Sequence, residues 1–166
     1  ISNAINGQDA IRFDGVDQYG VVSTPAVTQP DSVYIVYEPI AWQGLDRVFT
    51  FQGSNSGTHG QITATPNTYQ FCGSQLDSSP DPAVGTYNAM TLIFNGASSE
   101  IRTNGSAAVT GNAGSDNGTG IVLAARNNLL ANFANIEIAY LIYRTGADST
   151  AIQDYILDFF NTHFAL

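Results

Sequence analysis

Three glutamates, Glu38, Glu100 and Glu137, are the first residues to weigh for chemistry. Retaining glycoside cleavage needs two carboxyl groups about 5 Å apart, one protonated as acid and one ionised as nucleophile. The three lie in separate segments, and Asp14 and Asp17 read as turn formers, so no catalytic carboxylate pair is expected. His59 sits in a glycine- and serine-rich loop and His163 near the C-terminus, each without a Cys or His at metal-ligand spacing. That pattern supports neither a zinc site nor a Ser-His-Asp arrangement. The five basic residues are all arginines, which removes lysine as a Schiff-base or lyase group.

Calcium is the metal the residue types fit best. Asp14, Asp17, Asp116 and Asn117 fall in loops and offer the oxygen donors that a hard cation takes. For sugar recognition the useful chemistry is an aromatic face against a ring, with amides and carboxylates converging on hydroxyls. Trp42, between Pro39 and Gly44, is the main candidate, with Tyr69, Tyr87, Asn55 and Asn67 beside it. The competing reading of Trp42 is a cap on the hydrophobic core. Cys72 has no disulfide partner and lies in an apolar stretch, so a buried structural thiol is expected. Asn104-Gly105-Ser106 and Asn117-Gly118-Thr119 match the N-glycosylation acceptor pattern, which chains rich in these residues produce by chance.

These side chains need a scaffold, and 166 residues with 43% apolar content suffice for one domain, residues 1–166, with a sizeable core. The net charge is −9, and Arg12, Arg47, Arg102, Arg126 and Arg144 form no run. Neither a nucleic acid nor an anionic membrane surface is an expected partner. No apolar run approaches the roughly 20 residues of a membrane helix, so no membrane insertion is expected. The opening Ile1-Ser2-Asn3 suggests a piece of a longer protein.

Short runs rich in Val, Ile, Thr, Tyr and Phe alternate with Gly, Asn, Ser, Asp and Pro clusters, an all-β signature. Strands are expected at 10–14, 19–23, 32–38, 47–52, 61–65, 68–73, 87–94, 100–103, 120–125 and 134–143. In the third, Val33, Ile35 and Tyr37 alternate with Tyr34 and Val36, so both faces should be covered. The 47–52 run, with Phe49 and Phe51 on one face, implies two packed sheets. Asn95-Gly96 and Asn104-Gly105 bracket the second arm of a hairpin spanning Tyr87 to Thr103. The polar loops 53–60, 75–85 and 111–118 are the natural carriers of a site. From Ile152 the period changes: Ile152, Tyr155, Ile156, Phe159, Phe160 and Phe164 share one helical face. This predicts a helix over about 149–163, with Thr150 and Gln153 as a capping box and Asp148 at the positive end of its dipole. That face must lie against the sandwich or a partner chain.

The run Ile11-Arg12-Phe13-Asp14-Gly15-Val16-Asp17-Gln18-Tyr19 resembles the opening of concanavalin A-like and laminin G-like domains. The hairpin Tyr87–Gly105 resembles their apolar strand, turn and strand ending in Asn-Gly. Residues 121–125, then 133–143, then the terminal helix resemble their closing strand pair and short helix. Members often carry Trp where this chain has Tyr87-Asn88, and no Glu-x-Asp-x-x-Glu arrangement like that of the family's glucanases is present. The resemblance implies a two-sheet antiparallel jelly-roll sandwich, a fold shared by lectins, carbohydrate-binding modules, adhesion proteins, glucanases, lyases and bacteriophage surface proteins. Two functional expectations follow, and catalysis is not among them. One is a glycan-binding or adhesion module of an extracellular or virion protein, with the polar loops and Trp42 as recognition edge. The other is a structural virion component, a capsid decoration or tail protein, that assembles as a homo-oligomer, often a trimer, at the virion surface.

Overall fold

The computed structural model describes residues 4–52, 59–63, 68–127 and 131–166. Among them are β1 (Ile11–Asp14), β2 (Gly20–Val27), β3 (Asp31–Ala41), β4 (Arg47–Gln52), β5 (His59–Thr63) and β6 (Thr68–Cys72). Then come β7 (Gln75–Asp77), β8 (Asn88–Phe94), β9 (Ser99–Thr103), β10 (Val109–Gly111), β11 (Gly118–Leu123), β12 (Asn135–Thr145) and the helix α1 (Thr150–Phe164). One antiparallel sheet has the order β1-β12-β3-β8-β9-β10 and the other β2-β11-β4-β5-β6-β7. This is the expected two-sheet jelly-roll sandwich with one C-terminal helix.

Alternation along the strands builds two cores. Val33, Ile35 and Tyr37 of β3 point between the sheets, with Phe49, Phe51, Met90, Leu92, Phe94 and Ile101. Tyr34 and Val36 point the other way, where Ala89, Ile156, Phe160 and Phe164 cover them. Each large helix side chain gains about 1.5–3 kcal/mol from this burial, which fixes α1 on the first sheet. A bulge in β12 assists: Ile138 pairs with Tyr37 and Tyr140 with Val36, leaving Ala139 extra. Ala139 packs in the helix-side core, and Tyr140 meets Phe159, Phe160 and Phe164 at 5.8–6.0 Å between ring centroids.

Three expectations change. The helix face is narrower than its periodicity implies: Ile156, Phe160 and Phe164 are buried, whereas Ile152, Phe159 and above all Tyr155, 76% exposed, face outward. The capping box is absent, because Ser149 is the N-cap and makes no side-chain cap bond. Gln153 is spent elsewhere, its amide donating to Glu100 Oε2 at 3.0 Å and to the Asp148 carbonyl at 3.1 Å. Asp148 does lie at the helix start, where its Oδ2 accepts from the Tyr34 hydroxyl at 2.8 Å and Arg144 Nε at 2.6 Å. Finally, the short edge strands β7 and β10 occupy the margins of two expected loops. Three residues carry too little period to read, and pairing with β6 and β9 makes them strands.

The 87–103 hairpin forms, with Met90 opposite Thr103 and Ile93 opposite Glu100. Asn104 (φ 50°) and Gly105 (φ 72°) both take the left-handed conformation that turns the chain towards β10. Asn104 also accepts the Ala89 N–H at 2.8 Å and donates to Asn88 Oδ1 at 3.0 Å.

Candidate functional site

Glycines and short polar side chains from three loops leave a cavity of about 390 Å³ at one end of the sandwich. Gly73 and Ser74 follow β6, Gly96 and Ala97 follow β8, and Asn112, Gly114, Ser115 and Asp116 precede β11. The glycines matter by position. Gly114 has φ 94°, and a Cβ there would strike the Cys72 carbonyl; Gly73 has φ 97° and packs against the Asp116 carboxyl.

Gln29, just before β3, locks these loops together. Its Nε2 donates towards Cys72 Sγ (2.8 Å), the Asp116 carbonyl (3.0 Å) and the Gly114 carbonyl (3.2 Å). Its Oε1 accepts the Gly96 N–H at 2.7 Å, and its own N–H donates to Asn117 Oδ1 at 2.9 Å. Backbone bonds complete the frame: the Cys72 and Ser74 N–H groups donate to the Ala113 carbonyl, and the Asp116 N–H to the Cys72 carbonyl. Cys72 itself is buried, and burial foremost, then the charges of Asp31 and Asp116, pushes its thiol up. A thiol held neutral in this way packs and hydrogen-bonds instead of attacking. Near it, Asp31 is 0% exposed and burial pushes its carboxyl up to about 7.

The structure separates the residues singled out for sugar recognition. Asn55 and Asn67 lie outside the described residues. Tyr69 is 9% exposed, edge-on to Phe71 and hydrogen-bonded with Arg47, so it has no face for a sugar. Trp42 is half-buried against the main core at the end remote from the cavity. Tyr87, also half-buried, gives its hydroxyl to Glu137 Oε2 at 2.8 Å. None of the three described aromatics lines the cavity.

The four calcium candidates are likewise split. Gly118 pairs with Val27 and Leu123 with Gly20 along the antiparallel β11–β2 ladder. Asp116 and Asn117 therefore precede one end of that ladder, while Asp14 and Asp17 precede the other, about 17–20 Å away along the strand. Asp14 Oδ1 accepts the Val16 N–H at 2.9 Å and the Asp17 N–H at 3.4 Å, a turn whose bonds, that of Val16 first, hold the carboxyl below its usual range. Among the described residues no three His, Cys, Asp or Glu side chains gather as a metal site.

One grouping escaped the sequence. Glu38 and Glu137, 99 positions apart in order, are opposite each other on β3 and β12, and Arg12 is opposite Glu137 on β1. Arg12 bonds Glu137 Oε1 at 2.8 Å and Asn135 Oδ1 at 3.0 Å. Burial first, then the Glu137 charge, raises the Glu38 carboxyl. Both Glu137 oxygens are engaged, by Arg12 and Tyr87, on the helix-side face of the sheet. The cavity residues Ser74, Asn112 and Ser115 were missed individually. The signal for them was the recurrence of Gly with Ser or Asn in three loops, which names loops but not which ones meet.

No family model matches the sequence, and no curated protein does. The class is set by the fold: a two-sheet jelly-roll sandwich closed by one helix. Solved structures share it. A Trypanosoma rangeli sialidase in complex with sialic acid superposes with a TM-score of 0.67 at 8% identity, over 89% of this chain and 27% of the sialidase. The chain thus spans about a quarter of the sialidase's length. The receptor binding domain of a botulinum neurotoxin mosaic serotype C/D gives 0.64 at 11% identity, covering 95% of this chain and 43% of the other. A native heptameric SAP-like pentraxin from Limulus polyphemus gives 0.62 at 13% identity, covering 89% and 81%.

Proposed function

We propose that this chain is a non-catalytic glycan-binding or adhesion module of a larger extracellular or virion protein, and that it takes a sugar residue in the end cavity. The observation that carries the reading is the convergence of Ser74, Asn112, Ser115 and Asp116 on about 390 Å³ of space within loops pinned by Gln29. Hydroxyls, an amide and a carboxylate on a rigid frame suit a polyhydroxylated ligand, and the volume lies within the range of small-molecule sites. The similar structures add support, since one holds sialic acid and another is a receptor binding domain. The small share of the sialidase covered suits a module. The test is a glycan array, run with calcium and with chelator, on the chain and on Ala97→Trp, which fills the cavity from an exposed position. Selective binding lost in the variant supports the reading; binding unaltered by the filled cavity places recognition elsewhere.

A second reading, a structural virion component that assembles with itself, draws on a different observation. Ile152, Tyr155 and Phe159 of α1 and Tyr140 of β12 form an outward apolar strip, and the similar pentraxin is heptameric. Solution mass decides it: an oligomer dissociated by Tyr155→Ser favours assembly, and a monomer at all concentrations removes it.

A further inference from the structure

We propose that the outer edge of β2 takes up an extended polypeptide segment as an added strand, apolar along its length and carrying a basic residue at the end that lies beside Asp14 and Asp17. The sandwich has two open sides, and they differ. On one, the end strands β7 and β10 close on each other: Leu76 of β7 is buried, and a Cβ at Gly111 of β10 would come within 2.8 Å of its Cδ1. On the other, the end strands are β1 and β2, with the Phe13 ring 3.7 Å from where a Cβ at Gly20 would stand. Here apolar surface stays bare, for Ile11, Val16, Tyr19, Val21 and Val22 are all exposed.

Val21 and Val22 show what is missing. Their ladder partners on β11, Val122 and Ile121, are 0% and 2% exposed, while they themselves are 45% and 47% exposed. Successive strand residues point to opposite faces, so β2 lacks cover on both. It covers β11, and among the described residues no strand does the same for it. An edge strand also turns a row of main-chain N–H and C=O groups outward, and natural edges are guarded by charge or proline. Between Gln18 and Thr24 there is neither. The ladder runs regularly from Gly20 to Val22, then shifts register before it resumes at Ala26, so the template is short, about 17 Å with Tyr19 and Ser23 included. That length suits a peptide held by main-chain bonds. It offers on the order of a few hundred Å² per partner, against about 800 Å² in a standard pair of folded domains, and a second copy brings a further −9 with no run of cations. Charge sets the rest of the partner's chemistry. Asp14 and Asp17 are exposed in the turn just before β2, and Arg12 on β1 is held by Glu137 and Asn135. A lysine or arginine at the adjacent end of the added strand meets those carboxylates.

The test uses the full chain, isotope-labelled, and a capped seven-residue peptide of alternating valine and threonine with lysine at each end. Amide shifts and slowed hydrogen exchange at residues 19–23 report the added strand. Methylating every amide nitrogen of the peptide removes its donors and should weaken binding by about tenfold or more, the equivalent of two or so hydrogen bonds. Val22→Lys, which places a charge on the exposed edge, should do the same to the parent peptide. Replacing both lysines by glutamate should weaken binding about fivefold or more at low salt, and less as salt screens the turn. Asp17→Asn should shrink that difference. Amides of β3 and β8 certify the fold of each variant. Silence at 19–23 with millimolar peptide, binding that survives full methylation, or a glutamate peptide as tight as the lysine one overturns the inference. So do concentration-dependent shifts at 19–23 in the chain alone, which assign the edge to a second copy. None of these outcomes touches the end cavity, whose residues 73–74, 96–97, 112 and 114–116 give separate signals.

Discussion

The two ends of the sandwich are built from similar loops but closed in different ways. At the Asp14 end, apolar bulk does the closing: Trp42 lies against the core, and Tyr19 stacks on Phe133 with centroids 6.4 Å apart. Its polar groups are consumed locally, as when Asn88 donates to the Ala83 and Thr86 carbonyls and accepts the Ala83 N–H. At the Gln29 end no large side chain among the described residues lines the space between the loops. A single amide holds three of them at fixed separation, and the cavity is what remains. A sandwich end becomes a site where hydrogen bonds replace bulk, because buried backbone groups can be satisfied from one side and leave the other open.

The largest expected effect comes from the buried aspartates, one near each end. Asp31, buried without exposure, has its carboxyl pushed from 3.8 up to about 7. The folded chain holds that proton more tightly than the unfolded chain. The stability it contributes is therefore present below about pH 3.8 and is lost as pH rises through about 7. At about 1.4 kcal/mol per pH unit the span amounts to about 4 kcal/mol. Urea unfolding at pH 4 and pH 8 should show Asp31→Asn gaining on the parent chain by up to that amount at the higher pH. Asp46, at the other end, is also raised by burial, but the Gln43 N–H and the Arg47 charge pull it back. Asp46→Asn should show a smaller pH-dependent gain. Equal pH dependence in the two variants would erase this contrast between the ends.

Next in size is the lock itself. Gln29→Ala leaves the Gly96 N–H and the Gly114 and Asp116 carbonyls without their bridge, at a cost of about 2–3 kcal/mol. Hydrogen exchange should quicken at residues 96 and 114–116 and sugar binding should fall, while residues 41–46 stay as they were. A uniform loss of protection over both ends would mean that the amide supports the whole fold and not one end of it.

Trp42→Ala tests the opposite end. Half-buried, the indole should be worth about 1–2 kcal/mol, less than a core tryptophan, and its removal should leave glycan binding unchanged. Binding lost with Trp42 while Ala97→Trp stays active would move recognition to the plugged end.

These contrasts mark how far the sequence could be read. The period of two in Val33–Tyr37 and the change of period after Ile152 reflect local geometry, so sheet, double burial and helix were legible. The Asn104-Gly105 turn was legible for the same reason, its conformation being a property of those two residues. The cavity was not, because it depends on which loops meet. Asn112 and Ser74 look like any loop residues until β6, β8 and β11 bring them together. Gln29 carries no mark of its role, since its five contacts reach positions 43 to 88 residues away. The cross-strand pair of Glu38 and Glu137 was hidden by the same distance, and the narrowness of the helix face by the shape of the sheet beneath it.

The smallest expected effect concerns calcium. Asn117 Oδ1, a natural ligand atom, already accepts the Gln29 N–H, and Asp14 Oδ1 accepts two backbone N–H groups at the far end. A cation at either end would have to compete with those bonds, and it would find only part of the oxygen set it needs among the described residues. Millimolar calcium should therefore move the melting temperature by no more than about 1 °C, since a ligand stabilises only in proportion to its binding of the folded chain. A larger rise that Asp116→Asn abolishes and Asp14→Asn does not would turn the open end into a metal site. The two ends would then differ by an ion as well as by a plug, and sugar binding would have to be remeasured as calcium-dependent.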